Sequence, residues 1–278
     1  MSEHLKDKVI IVTGAGNGFG QLISEKCAAG GAKVVGLDVD ADNLKTVFDG
    51  ITAADGQGVG MIADVTDLAQ MRDAARRAIE MYGAIDVLVN NAGIMPLAFF
   101  ADHAAAMAAW DRAIDINFKG AVHGIAAVYD QMIAQGRGHV VNISSIYGNA
   151  GVEGSGVYSA TKAAVTVLSD SLRIETKGKI KVTTVKPTGV LGTGLMAGIL
   201  NEAAAFGLTG QRAAQFAEHW GAAAQGELPG ALTDVDSIQY WMITPTELAN
   251  AVVHVIDQPW GISISDITVR ASGEDFVY

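Results

Sequence analysis

Thr13-Gly14-Ala15-Gly16-Asn17-Gly18-Phe19-Gly20 follows the apolar run Val9-Ile10-Ile11-Val12 and leads into residues 21–29, a stretch of helical composition. Glycines here let the chain turn sharply at the end of a strand and bring its backbone against a pyrophosphate, whose charge the exposed N–H groups of a helix N-terminus stabilise. The strict G-x-G-x-x-G order is not kept, because Phe19 stands in the place of its last glycine. A tight turn with no ligand is the structural alternative. Position favours the ligand reading, since the turn follows a strand, opens a helix and lies at the start of the chain.

Outward from this turn, short β-branched runs alternate with amphipathic stretches of helical length, which predicts parallel strands joined by crossover helices. The strands fall at residues 9–13, 33–37, 58–62, 87–90, 139–143, 181–186 and 263–269, with six helical segments between them. Most are near-continuously apolar, as expected when helices cover both faces. The fold class is therefore α/β, a Rossmann-type doubly wound parallel seven-stranded sheet, and no linker divides residues 1–278 into more than one domain. The rhythm stops at residues 191–244, where Met196, Phe206, Trp220, Trp241 and Met242 are scattered among alanines and glycines. A segment of that length is expected to form an enlarged lid with helices of its own.

Nineteen basic against thirty acidic residues give a net charge of -11, which repels nucleic acid and anionic lipid. Cys27 is the only cysteine, so no internal disulfide forms, and a core position on a helix suits it. A polar N-terminus running straight into a strand, and no apolar run long enough to span a membrane, predict a cytoplasmic protein. The six histidines show no metal-ligand spacing, so no metal is expected. Ser155 lies in Gly154-Ser155-Gly156, but Glu153 occupies the position where a hydrolase elbow needs a glycine. Asp111, Arg112 and Asp115 read as a solvated helix face.

Two further places carry chemistry. Asp38 ends the second strand, 18 residues beyond Gly20. A carboxylate there can accept from both hydroxyls of an adenosine ribose and would repel a 2′-phosphate, which argues for NAD over NADP, and no Arg or Lys flanks it. The alternative is a helix cap near Asp40 and Asp42. Tyr158 and Lys162 lie four apart in a helical segment and so share a face. A phenol titrates near ~10 and needs a neighbouring cation to serve as an acid–base group at neutrality.

Taken together, these stretches resemble the short-chain dehydrogenase/reductase family, whose motifs recur in order along nearly the whole chain. Its T-G-x3-G-x-G is Thr13, Gly14, Gly18 and Gly20; its adenine contact resembles Asp64-Val65; its N-N-A-G is Asn90-Asn91-Ala92-Gly93. The helix asparagine matches Asn117, the catalytic serine Ser145, and Y-x3-K is Tyr158 and Lys162, with the family's spacing of thirteen residues selecting Ser145 over Ser144. The resemblance implies an NAD-dependent alcohol dehydrogenase or ketone reductase acting on a small-molecule secondary alcohol or ketone. In it Tyr158 is the general acid and base, Ser145 hydrogen-bonds the substrate oxygen, Lys162 holds the nicotinamide ribose and lowers the tyrosine pKa, and Asn117 anchors a proton-relay water. The implied cofactor contacts are Gly14, Asn17, Gly18, Phe19, Gly20, Asp38, Asp64, Val65, Asn91, Gly93, Tyr158, Lys162, Pro187, Val190 and Thr193.

One departure stands out. The family's P-G-x-V-x-T reads Pro187-Thr188-Gly189-Val190-Leu191-Gly192-Thr193, with the glycine displaced by one and the threonine delayed by one. Met95, Tyr147, Val152, Glu153, Met196 and Trp220 or Trp241 are the expected substrate lining, beneath an apolar lid that favours a neutral, fairly bulky substrate; the alternative is that the lid aromatics only pack against the domain. The resemblance also implies a homo-oligomer, a dimer or tetramer. Two other functions fit the motifs: a silent NAD-binding sensor or scaffold, which would not need the tyrosine, and an epimerase or dehydratase using NAD transiently, which resembles longer chains.

Overall fold

The computed structural model describes residues 4–192 and 194–277. Its sheet contains β1 (Val9–Thr13), β2 (Lys33–Asp38), β3 (Gln57–Ile62), β4 (Val87–Asn90), β5 (Gly138–Ile143), β6 (Ile180–Pro187) and β7 (Asp266–Val269). Every pairing is parallel, and the order is β3-β2-β1-β4-β5-β6-β7. The chain thus builds outward from β1 in one direction, then returns and builds the other way from β4. Between the carboxyl ends of β1 and β4 the connections diverge, and an open doubly wound sheet has its ligand crevice there.

Alternation along β1 shows why the sheet is covered on both sides. Ile10 and Val12 enter one core with Ile23 and Cys27 of α1 (Gly18–Ala29), Phe48 of α2 (Ala41–Ala53) and a distant helix near the C-terminus. Ile11 enters the opposite core with Met71 and Ala75 of α3 (Leu68–Tyr82). That second core also takes Ile125 and Met132 of α5 (Gly120–Gln135) and Leu172 of α6 (Gly156–Glu175). α4 (His103–Ala113) precedes α5, and a short π-helix, Ile114–Lys119, joins the two. Helix starts are marked in sequence: Asp40 accepts from the Asn43 N–H at 3.0 Å at the head of α2, and Asp67 accepts from Ala69 and Gln70 at the head of α3. Burial pushes the Cys27 thiol up to about 12, consistent with a packing role.

The strand expected at 263–269 starts three residues later. Side chains of β6 take the carbonyls just before it: Lys181 Nζ donates to Ile262 and Thr183 Oγ1 to Ile264, so regular pairing begins at Asp266 opposite Thr184. After β6 the chain runs through 3₁₀ turns at Gly194–Gly198, Glu202–Leu208 and Gly210–Arg212, then α7 (Ala213–Gln225) and α8 (Gly230–Thr233). It returns to the first core as α9 (Pro245–Ile256), opened by a Thr244–Glu247 capping box. Among the described residues no helix is long and apolar enough to cross a membrane.

Candidate active site

The crevice between β1 and β4 is a cleft of about 360 Å³. Gly14, Asn17, Gly18, Phe19, Asp38, Asp64, Val65, Asn91 and Gly93 all line it. Gly18 has φ +53° with no atom within 4 Å of where a Cβ would point, so the backbone itself faces open space. Asn17, the N-cap of α1, makes no side-chain cap bond, and no acid stands in the first turn, so the helix N-terminus keeps N–H groups for an anion. Gly20 lies beneath the cleft surface rather than on it: a Cβ there would sit 1.9 Å from the Gly14 carbonyl oxygen, and the turn closes only because none exists.

The turn is braced from β4. Thr13 Oγ1 accepts from the N–H groups of Asn91 and Ala92 at 3.0 Å each, and the Asn91 amide donates back to the Thr13 and Gly14 carbonyls. Asn91 Oδ1 is left buried with no partner in the cleft wall. Asp38 accepts from the Gly16 N–H at 2.8 Å through Oδ2 and from the Asp40 N–H at 3.0 Å through Oδ1, which aims its carboxylate at the glycine turn. Asp64 accepts from both the N–H and hydroxyl of Thr66 at 2.8 Å, which fixes the turn beside the cleft. A helix N-terminus with no side-chain cap, a glycine-rich turn and a carboxylate at the far end fit a dinucleotide.

The catalytic candidates converge deeper in. Ser144 and Ser145 face opposite ways: Ser144 donates to the Lys162 carbonyl at 2.8 Å inside α6, whereas Ser145, capping a 3₁₀ turn, faces a cavity shared with Tyr158. Tyr158 packs edge-on against Tyr147 with centroids 5.5 Å apart. Lys162 Nζ lies 5.8 Å from the Tyr158 ring and donates to the Ile143 carbonyl at 2.9 Å. A Cβ on Gly93 would come within 3.5 Å of that ammonium, so the missing side chain leaves Lys162 access to the cleft floor. Asn117 sits in the π-helix, and its side chain is a brace: Oδ1 accepts from the Ile94 N–H at 2.8 Å, and Nδ2 donates to the Ile94 carbonyl and to Thr161.

Burial sets the protonation of this cluster. It pushes the Tyr158 phenol up to about 12, an effect that a hydrogen bond with Ser145 partly offsets, and it pulls the Lys162 ammonium down to about 8. The lowering of the tyrosine expected from Lys162 is not seen: desolvation raises the phenol, and Ser145, not Lys162, is the group that works against it.

The cavity over Ser145 and Tyr158 measures about 80 Å³ and opens on the cleft, sharing Phe19, Met95 and Leu195 with it. Met95, Tyr147, Met196 and Trp220, expected as substrate lining, line it; Pro187 and Val190, expected as cofactor contacts, line this cavity and not the cleft. Val152 is buried alongside without lining it, and Trp241 is fully buried in the lid core. Glu153 is a correction: its side chain is exposed and does not reach the cavity, because the chain there turns through Gly154 and buries Val152 and Ser155 instead. Thr193 lies outside the described residues. Among the described residues no group of His, Cys, Asp or Glu could hold a metal.

Two lining residues were not among those expected. Arg112, read as part of a solvated face and exposed in the structure, also lines the cleft four residues before Ile116, which lines it too; that helical spacing was the available signal. Phe276 lines the cavity from the chain's far end.

Comparison with known proteins agrees with this geometry. A model of the short chain dehydrogenase family matches residues 8–204. An uncharacterized oxidoreductase of Listeria innocua is 32% identical over 268 residues, 95% of this chain and 96% of that protein. Two solved structures are each 26% identical: a metagenomic short-chain oxidoreductase in complex with NADP, TM-score 0.72, covering 95% of this chain and 98% of that one, and a short-chain dehydrogenase/reductase from Burkholderia phymatum in complex with NAD, TM-score 0.74, covering 95% and 89%.

Proposed function

The chain belongs to the short-chain dehydrogenase family and is an oxidoreductase of that type, and from that premise we propose that it moves a hydride between NAD and the carbinol carbon of a neutral, apolar secondary alcohol or its ketone, with Tyr158 as general acid and base. One observation carries the reading: Ser145 and Tyr158 stand together, with Tyr147 and Thr188 as the other hydroxyl-bearing residues, in a cavity with no charged side chain in its lining, and that cavity joins the cofactor cleft. A bound nicotinamide supplies hydride exchange, and its oxidised ring carries a positive charge.

The residues that would hold the cofactor divide by its parts. The N-terminus of α1 and the turn at Gly14–Gly18 meet the pyrophosphate, Asp38 the adenosine ribose, Asp64 and Val65 the adenine, and Lys162 the second ribose past Gly93. Two hydrogen-bonded oxygens on Asp38 still accept from ribose hydroxyls, whereas a 2′-phosphate would meet a negative charge; this supports NAD over NADP.

In the reducing direction the Tyr158 phenol, protonated at neutral pH, donates to the substrate oxygen while Ser145 stabilises the charge developing there. In oxidation the phenol must first lose its proton, and cationic charge nearby favours that form. Asn117 keeps Ile94 and α6 in register beneath these groups. The cavity is smaller than the roughly 150 Å³ that accommodates benzene, so the lid aromatics, which pack largely on one another, shape a compact site; a bulkier substrate must displace Met95 or the lid at Met196 and Met242. A homo-oligomer is part of this proposal, supported by Val167 and Ile174, which expose apolar side chains on the outer face of α6.

The test is absorbance at the reduced-nicotinamide band with a panel of secondary alcohols from aliphatic to cyclic and aryl, with NAD and NADP in parallel. NAD-dependent turnover of neutral apolar members is expected. Tight NAD binding with no turnover across the panel would favour a sensor instead.

A further inference from the structure

Thr188 and Gly189, where the glycine of the family's pattern is displaced by one, both contact the last residues of the chain. Thr188 Oγ1 donates to the Glu274 carboxylate. A Cβ on Gly189 would meet the Phe276 ring at 2.3 Å and Met242 at 2.5 Å, so the displaced glycine leaves a slot that the Phe276 ring fills. The ring then lies 5.6 Å from Phe216 of the lid and forms part of the wall around Ser145 and Tyr158.

The tail is built into this position and does not merely lie over it. Asp275, 3% exposed, accepts from Trp241 Nε1 at 2.7 Å and pairs with His219 Nδ1 at 2.9 Å, tying the tail to the lid just before Phe276. The Gly273 N–H donates to the Tyr240 carbonyl and the Val277 N–H to the Leu208 carbonyl. Arg270 pairs with Glu274, and Arg212 donates to the Glu274 carbonyl. Each residue from 273 to 277 is therefore fixed by hydrogen bonding or by close packing.

We propose that residues 273–277 are the specificity element of this chain: Gly189 is the seat for Phe276, and the seated ring closes the far wall of the substrate cavity. The proposal rests on the oxidoreductase reading for the identity of the cavity, but its geometry is independent of turnover. Phe276 lines the cavity of Ser145 and Tyr158 and not the cofactor cleft, so it governs which ketone fits. Removing the ring makes room for an aryl group that the present cavity of about 80 Å³ does not hold.

The experiment compares affinities of the whole chain, in the presence of NAD, which has no hydride to give a ketone, for 2-butanone and acetophenone by ligand-observed NMR titration. In Phe276→Ala the preference for acetophenone over 2-butanone rises at least tenfold, of the order that one or two buried methylenes command. Gly189→Ala, which evicts the ring, raises the same ratio, and adding Gly189→Ala to Phe276→Ala raises it no further. If Phe276→Ala does not fold, Phe276→Leu moves the ratio in the same direction by a smaller factor. An unchanged ratio in a folded Phe276 variant, a Gly189→Ala effect that adds fully to that of Phe276→Ala, or binding of neither ketone overturns the proposal. A ratio that moves as stated while the unaltered protein reduces neither ketone with NADH counts against the proposed reaction and supports the role of the tail.

Discussion

Replacing Asp38 with asparagine tests how the cleft distinguishes its cofactor. The carboxylate is half-buried at the end of β2 and oriented by the N–H groups of Gly16 and Asp40. A 2′-phosphate carries about -1.5 to -2 charges, and at a separation of about 4 Å each unit of charge costs about 1 kcal/mol in water and about 4 kcal/mol at an effective dielectric of 20. For a half-buried group in physiological salt the lower part of that range applies, about 2–4 kcal/mol, which is roughly 30- to 1,000-fold in favour of the unphosphorylated cofactor. Asp38→Asn keeps an acceptor for one of the two N–H groups and removes the charge. The ratio of NADPH to NADH dissociation constants, read by energy transfer from tryptophan to the reduced nicotinamide, should fall at least tenfold in the variant. Equal affinity of the unaltered protein for both cofactors, or a ratio that Asp38→Asn leaves in place, refutes the reasoning.

The two neighbouring serines separate by role. Ser145→Ala should cost about 10²–10³ in kcat with the melting temperature held, whereas Ser144→Ala, which breaks a buried bond to Lys162, should cost about 1 kcal/mol of stability and leave most turnover; matched losses of kcat in the two variants would reject the assignment. Lys162 titrates near 8 in the native chain against an ordinary 10.5, so between those values the unfolded chain binds more protons and stability from this group rises with pH. Denaturant curves at pH 7 and pH 10 should show the unaltered protein gaining on Lys162→Met, by at most about 3 kcal/mol; parallel curves would contradict the buried ammonium. In the glycine turn, Gly20→Ala forces a clash with the Gly14 carbonyl and should cost several kcal/mol, on the order of overpacking in a tight core. Gly18→Ala meets no atom, and should cost only the ~1–2 kcal/mol of a left-handed backbone while weakening NADH binding. Equal melting temperatures for the two alanine variants would show that Gly20 is not a packing site.

What the sequence disclosed follows from the physics of each element. β1 and β4 are buried on both faces, so Val9–Val12 and Val87–Val89 read as continuous apolar runs, and the glycine turn is legible because its backbone shape admits no side chain at Gly20. Tyr158 and Lys162 sit on one helix, where spacing alone brings them together. The π-helix that carries Asn117 leaves no mark in composition, since it differs from its neighbours only in hydrogen-bond register. Phe276 was illegible for a different reason: its contacts at Gly189 and Phe216 join segments far apart in the chain, and only the misplaced glycine hinted that something occupied the slot. The lid was recognisable from its length and broken rhythm, yet which aromatics face the cavity and which, like Trp241, face each other depends on helix rotation that no local pattern encodes.

The most direct test of the central claim is single-turnover hydride transfer from NADH in Tyr158→Phe, with the ketone that the unaltered protein reduces best. This substitution keeps the ring that packs against Tyr147 and removes only the hydroxyl. A fall of about 10³ or more in rate, with the NADH dissociation constant and melting temperature held, is the predicted result; turnover retained within threefold would contradict the account.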